Sequence, residues 1–201
     1  MVRLPRVCKE PAVPKLLRDV FFGLAASMAL GSVALADLEN ENLLVSVPPG
    51  YKVDFQQNND NARMTEMVPA NESVKNWTEM LTVQVFYRLQ NVTPGEFKSR
   101  MEKLWSSNCS GSQSKLVKTG VEGGYPSTTW VMICPLNRAT SKPENTWFRA
   151  IQGADSFYVV QKSFKFTPSK AQENQWLAFL QKVLVCDSRL PDRACPTTKS
   201  Q

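Results

Sequence analysis

The chain has 201 residues, of which 42% are hydrophobic and 21% are charged, values that are ordinary for a globular protein. It contains no histidine, and its 24 basic and 18 acidic residues give a formal net charge of +6. The missing histidine excludes Ser-His-Asp and Cys-His catalytic sites built from this chain alone, and also zinc sites that use histidine.

The first 36 residues have the pattern of a secretory signal peptide. Residues 1–20 carry five basic side chains, and the apolar run FFGLAASMALGSVALA that follows ends in Ala34-Leu35-Ala36. A basic segment, a short apolar segment and an A-x-A site predict cleavage after Ala36. The apolar run is shorter than the ~20 residues of a spanning helix, so we expect no membrane span after cleavage.

Removal of residues 1–36 changes the charge of the protein. The mature chain, residues 37–201, has 19 basic and 16 acidic residues, a net charge of +3 that is spread along the sequence. So small an excess does not favour a nucleic acid or a polybasic membrane contact as the partner. The sequence predicts a protein that is periplasmic or secreted.

The first part of the mature chain predicts short strands. An apolar strand at Leu43–Val47 ends at Pro48-Pro49-Gly50, because two prolines cannot continue a sheet. Two further strands, at 51–55 and 64–68, flank an Asn-rich turn. The segment MLTVQVFYRL alternates most clearly and places three apolar side chains on one face: Leu81, Val83 and Val85.

A helix is predicted to begin after Thr93, because Thr93 and Glu96 form a capping box with Pro94 at the first helical position. Four apolar residues then recur at helical spacing: Phe97, Met101, Leu104 and Trp105. We expect this stripe to lie against the sheet face that Leu81, Val83 and Val85 build.

The rest of the chain predicts four more strands and a second helix. The strands form two pairs, one around Gly123-Gly124 and one around 153–155, with a polar loop over 137–144. The second helix begins at Ser169, and its predicted core face is Trp176, Leu180, Val183 and Leu184. This order predicts a single α+β domain over 37–201: an antiparallel β-sheet meander with two helices packed on it, as an α/β/α sandwich.

Four cysteines remain after the leader is removed, and an even number in an exported chain indicates two disulfides. Three pairings are possible, and we favour Cys109 with Cys134 and Cys186 with Cys195. The second bridge would close the C-terminal tail from about residue 186. A redox pair or a zinc site is disfavoured, because the chain has no C-x-x-C motif and no paired short spacings.

The order of elements around the Pro-Pro-Gly-Tyr turn resembles the PsbP-like (Mog-like) fold. The strings VKNWTEMLTVQVF, CPLNRATSKPENTWFRAIQG and VCDSRLPDRAC are similar to a family of uncharacterised bacterial exported proteins. The resemblance implies an α+β sandwich and, since the understood members of the fold act mainly by binding other proteins, a binding role. It implies no cofactor, no metal and no catalytic residue.

Two classes of function stay open. The favoured one is a non-enzymatic binding or accessory module, whose partner is a protein or a small ligand of the cell envelope. A candidate binding patch is Trp147, Arg149 and Tyr158, although aromatic residues on a sheet are more often buried. The alternative is a carboxylate-based hydrolase or transferase, for which Glu66, Glu72 and Glu79 lie close in sequence. The sequence predicts no oligomeric state.

Overall fold

The computed structural model describes residues 38–196. The predicted signal peptide, residues 1–36, lies outside them, as do Asp37 and residues 197–201. Nine strands run over Glu41–Leu44 (β1), Tyr51–Asn58 (β2), Ala62–Pro69 (β3), Glu79–Tyr87 (β4), Gln113–Glu122 (β5), Tyr125–Asn137 (β6), Lys142–Gln152 (β7), Ser156–Phe164 (β8) and Leu184–Asp187 (β9). The two α-helices are Pro94–Asn108 (α1) and Lys170–Gln181 (α2), and Pro191–Arg193 forms one 3-10 turn.

Seven strands form one antiparallel sheet in the order β2-β3-β4-β8-β7-β6-β5. The two predicted meanders, β2 to β4 and β5 to β8, meet where β4 pairs with β8 over nine residues. β1 and β9 form a separate two-stranded sheet. The predicted polar loop over 137–144 is shorter in the structure, because β6 extends to Asn137 and β7 begins at Lys142.

Each face of the large sheet carries its own apolar core. On one face α1 covers Trp130, Phe148 and Phe157, and on the other face α2 and the small sheet cover Leu81, Val160 and Phe164. Within residues 38–196, the predicted fold class is therefore confirmed: an α+β, α/β/α arrangement with an antiparallel sheet. In the same range, no helix is long and apolar enough to cross a membrane.

The predicted position of α1 is wrong in one respect. Its capping box at Thr93 is present, but its apolar stripe lies against Phe86, Trp130 and Phe148 rather than against Leu81, Val83 and Val85. Alternation along β4 places those three residues on the α2 face. One residue of the apolar stripe, Leu104, is not covered by the sheet, and its side chain is 54% exposed.

The second helix, α2, ends earlier than the sequence predicts. The helix ends at Gln181, so neither Val183 nor Leu184 is on it: Val183 is buried after the C-cap, and Leu184 begins β9 with its side chain 44% exposed. β9 pairs with β1 in antiparallel register, from Glu41 opposite Asp187 to Leu44 opposite Leu184. Both strands have only four residues, and their partners lie about 140 residues apart, so no local pattern marks the pairing.

Both predicted disulfides are confirmed. Cys109, at the C-cap of α1, is bonded to Cys134 of β6, with the Cα atoms 5.8 Å apart. Cys186 of β9 is bonded to Cys195, with the Cα atoms 4.8 Å apart, and this bridge closes the tail from residue 186 as predicted. The first bond therefore ties α1 to its sheet face, and the second ties the tail to the small sheet.

Candidate functional site

A buried ion pair lies beneath α2. Lys162 of β8 is fully buried, and its Nζ atom donates to Glu79 Oε2 at 2.8 Å and to the Tyr51 hydroxyl at 2.5 Å. Tyr51 in turn donates to the same Glu79 oxygen at 2.7 Å. One carboxylate of β4 therefore receives both the ammonium of β8 and the phenol of β2.

Three aromatic rings surround the ammonium of Lys162. The ring centroids of Tyr51, Phe164 and Trp176 lie 4.7, 4.5 and 4.1 Å from its Nζ atom, distances at which an aromatic face attracts a cation. Burial lowers the pKa of Lys162 to about 8, against the opposing pull of Glu79. Since no surface of Lys162 is exposed, we interpret the cluster as a clamp that holds α2 and β2 on the sheet.

The structure places the three residues of the predicted patch on one face of the sheet and buries them, with Tyr158 opposite Ile151, four residues along β7 from Trp147. Trp147, Arg149 and Tyr158 lie on the α2 face of β7 and β8, with exposed fractions of 7%, 1% and 3%. Arg149 forms an ion pair with Glu122 at 2.6 Å. The pKa of Glu122 is lowered to about 2, first by Lys118 and then by Arg149. A binding role for the three residues stays a prediction, and for Trp147 and Arg149 it requires the cover over this face to move.

Tyr158 lines a groove of about 390 Å³ on the same face, beside the area that α2 covers. Its floor is apolar and consists of Met67, Val83 and Val85. One wall is β1 with the residues after it, and the other is formed by β2 and β3. Val83 and Val85 belong to β4, next to the central strand, and they are only half-buried. The cover on this face is therefore incomplete above the floor.

Glu41 fixes the β1 wall of this groove. Its carboxylate accepts from the backbone N–H groups of Ala154, Asp155 and Ser156 at 2.6, 3.1 and 3.2 Å, and from the Tyr158 hydroxyl at 2.9 Å. Three consecutive N–H groups make a concavity that suits an anion. A Cβ atom at Gly153 would lie 2.1 Å from Glu41 Oε1, so glycine leaves the room that this carboxylate occupies.

Replacing Glu41 with Ala should lower the free energy of unfolding by about 2 kcal/mol, because the carboxylate receives four hydrogen bonds in a half-buried position. Tyr158→Phe should cost about 1 kcal/mol in the parent and almost nothing in the Glu41→Ala background. Urea unfolding of the two single variants and the double variant measures this coupling. Equal costs of Tyr158→Phe in both backgrounds would show that Tyr158 does not hold Glu41.

A second cavity of about 620 Å³ lies at the C-terminal end of α1. The Cys109–Cys134 disulfide, Leu104 and Trp105 line it, together with the turn after β6. Two charged residues line it, Arg138 and Glu144, and Glu144 accepts from Asn137 at 2.6 Å. This cavity is larger than the groove, but it lies at a helix end and a hairpin turn rather than on the sheet face.

The three acidic residues considered for catalysis do not all lie together: Glu72 accepts from the backbone N–H of Glu79 at 3.4 Å, but Glu66 is on the opposite face of the sheet. Glu66 points to the α1 face of the sheet, where burial raises the pKa of its carboxyl, whereas Glu79 points to the α2 face and pairs with Lys162. Glu72 accepts from Thr78 N and Oγ1 at 2.6 and 2.5 Å. Across the part of the chain that the structure describes, no three His, Cys, Asp or Glu residues are grouped to hold a metal.

Three residues of these sites were missed by the sequence analysis: Glu41, Arg63 and Lys162. Lys162 had a signal, because Tyr158, Val160 and Phe164 share its face at a period of two, and a lysine in such an apolar row indicates a buried cation. Glu41 had none, because its partners lie more than 110 residues away. Arg63, on the groove wall, resembled any other exposed arginine.

No protein family and no curated protein matches the sequence. Among solved structures, a mutant of protein Mog1 is 13% identical with a TM-score of 0.43, covering 68% of this chain and 78% of its own. The Ran-binding protein Mog1p of Saccharomyces cerevisiae is 13% identical, with a TM-score of 0.41 and coverages of 79% and 88%. The cyanobacterial PsbP of Synechocystis is 12% identical, with a TM-score of 0.42 and coverages of 77% and 95%. Similarities of this size carry no functional argument.

Proposed function

We propose that the protein is an exported, non-enzymatic binding module whose ligand occupies the groove over Met67, Val83 and Val85. The observation that carries the proposal is that Val83 and Val85, in the floor of this groove, are only half-buried although their strand lies next to the centre of the sheet. A sheet face at that position is normally covered, because apolar side chains lose stability when they face water. The incomplete cover over Val83 and Val85 therefore supports a binding surface.

The surroundings of the floor support a rigid binding site. Glu41 holds one wall through four hydrogen bonds, and β2 and β3 hold the other through the main sheet. Small-molecule sites are usually pre-formed concavities of ~300–1,000 Å³ with an apolar lining and a few polar groups. The groove, at about 390 Å³, lies at the small end of that range. This size favours a small ligand of the envelope over a folded protein.

Two features support export. The leader has the composition of a signal peptide, and four cysteines in the described residues form two disulfides, which persist in oxidising compartments. A catalytic role has less support, because the carboxylates of Glu72 and Glu79 already have hydrogen-bond partners.

The groove is tested by filling it. The mature protein, recovered from the periplasm and checked by intact mass to begin at Asp37, is titrated with the neutral apolar dye N-phenyl-1-naphthylamine. Val85→Trp should abolish the rise in dye fluorescence, because the larger ring fills the space above the floor. Leu104→Trp is the matched control: it adds a similar volume to the second cavity and should leave dye binding unchanged.

The reverse result, with binding lost in Leu104→Trp and retained in Val85→Trp, would move the site to the cavity at the end of α1. Dye binding that survives both substitutions would also contradict the groove as the binding site. Retention of residues 1–36 on protein found in the membrane fraction would contradict export. Urea midpoints close to that of the parent confirm that each variant is folded.

A further inference from the structure

The two charged side chains that line the groove differ in whether they can bind a ligand. Two charged residues line it, Glu41 and Arg63. The Glu41 carboxylate already receives four hydrogen bonds and is fixed against the turn between β7 and β8. Arg63 is exposed, and within residues 38–196 no acidic oxygen lies within ion-pair distance of it. The available charge of the groove is therefore positive.

Arg63 also has the right position relative to the floor. In β3 it lies directly opposite Val85 of β4, so both side chains are on the α2 face. Several neighbouring polar groups are already engaged: the Tyr87 hydroxyl donates to Asn58 at 2.9 Å, and Gln56 contacts Thr65. A guanidinium with five donors thus stands at the edge of an apolar floor and can bind an oxyanion.

We propose that the ligand is a small amphiphile with an anionic carboxylate or phosphate end, and that Arg63 binds this end while the apolar tail lies on Met67, Val83 and Val85. This inference rests on the groove proposed above. It adds the charge of the ligand, the residue that recognises it and the direction in which the ligand lies.

Three probes with the same ten-carbon alkyl tail separate the contributions: undecanoate, decyl phosphate and decanol, each used below its micelle concentration. Isothermal titration of the parent should give Kd values about five-fold lower for the two anions than for decanol, the size of one solvent-exposed ion pair. The difference between undecanoate and decyl phosphate identifies the preferred headgroup. Arg63→Gln should remove the advantage of both anions and leave the Kd of decanol unchanged, which also shows that the groove is intact.

Arg100→Gln is the matched control, because Arg100 is an exposed arginine on α1, outside the groove lining. It should leave all three Kd values as in the parent. If none of the probes binds the parent, both the groove and the amphiphile are wrong. If decanol binds as tightly as the anions, or if Arg63→Gln changes nothing, the anionic end is wrong while the groove stands.

Discussion

Glu79→Gln should lower the free energy of unfolding by about 3 kcal/mol at pH 7. The substitution keeps the size of the side chain but leaves the Lys162 ammonium buried without its counter-charge. Loss of one partner of a buried pair costs about 3–5 kcal/mol, and the partial exposure of Glu79 places the value at the lower end. Urea unfolding of the parent and the variant, fitted with one common slope of unfolding free energy against urea concentration, measures the change.

The pH dependence of stability tests the same cluster. The pKa of Lys162 is lowered to about 8 by burial, whereas a lysine in the unfolded chain titrates near ~10.4. Between these values the unfolded chain binds more protons, so Lys162 should add about 2 kcal/mol to the stability from pH 8 to pH 10. Tyr51 and Tyr158, which begin to ionise in the unfolded chain near pH ~10, should offset about 1 kcal/mol of this, so the parent should gain about 1 kcal/mol. Above that range stability should fall, because burial raises the pKa of Tyr51 and Tyr158 and the unfolded tyrosines ionise first.

Two controls separate the clamp from general charge effects. Lys162→Met should remove the rise of stability that the parent shows above pH 8. Glu173→Gln breaks the exposed pair between Glu173 and Lys170 on α2 and should cost less than about 0.5 kcal/mol. If Glu79→Gln is as mild as Glu173→Gln, or if the parent loses stability from pH 8 to pH 10, the buried pair does not hold α2 as described.

Trp130→Ala should lower the free energy of unfolding by about 3–5 kcal/mol, the range for deleting a large aromatic side chain from a core. Trp130 is fully buried beneath α1, and its ring stacks on Phe148 with centroids 4.8 Å apart and planes at 4°. Phe97 of α1 contacts the same ring edge-on at 6.3 Å. The deletion therefore removes one of the aromatic contacts between α1 and the sheet and leaves a cavity beneath the helix.

Trp105→Ala is the comparison, and we expect it to cost only about 1–2 kcal/mol. Trp105 is half-buried and has one aromatic contact, with Phe148 at 6.1 Å, so less apolar surface returns to water when it is removed. Urea midpoints of the two variants beside the parent test the ranking. A greater loss in Trp105→Ala would place the core under the C-terminal end of α1 instead.

Elements with local signals were predictable from the sequence. Both capping boxes, at Thr93 and Ser169, begin helices as expected, because their hydrogen bonds join residues three apart. The disulfide pairings agree with the prediction: Cys109, after α1, is bonded to Cys134 on a strand of the sheet, and Cys186 is bonded to Cys195, nine residues further along the chain. These features depend on neighbours in the chain.

Features that depend on distant partners were not predictable. The face of the sheet that α1 covers is decided by how the chain crosses from β4 to β5, and the apolar stripe of α1 fits either face. The pairing of β1 with β9 joins four residues at each end of the domain. Glu41 is fixed by a turn more than 110 residues away, so the groove that it borders has no sequence pattern of its own.

The binding groove is tested most directly by where a bound ligand lies. Nuclear Overhauser effects between the methylene protons of bound decanol and the methyl groups of the parent protein report contacts within about 5 Å. We predict cross-peaks to Met67, Val83 and Val85, the floor of the groove. Cross-peaks to Leu104 instead, or no intermolecular cross-peaks at saturating decanol, would contradict the groove as the binding site.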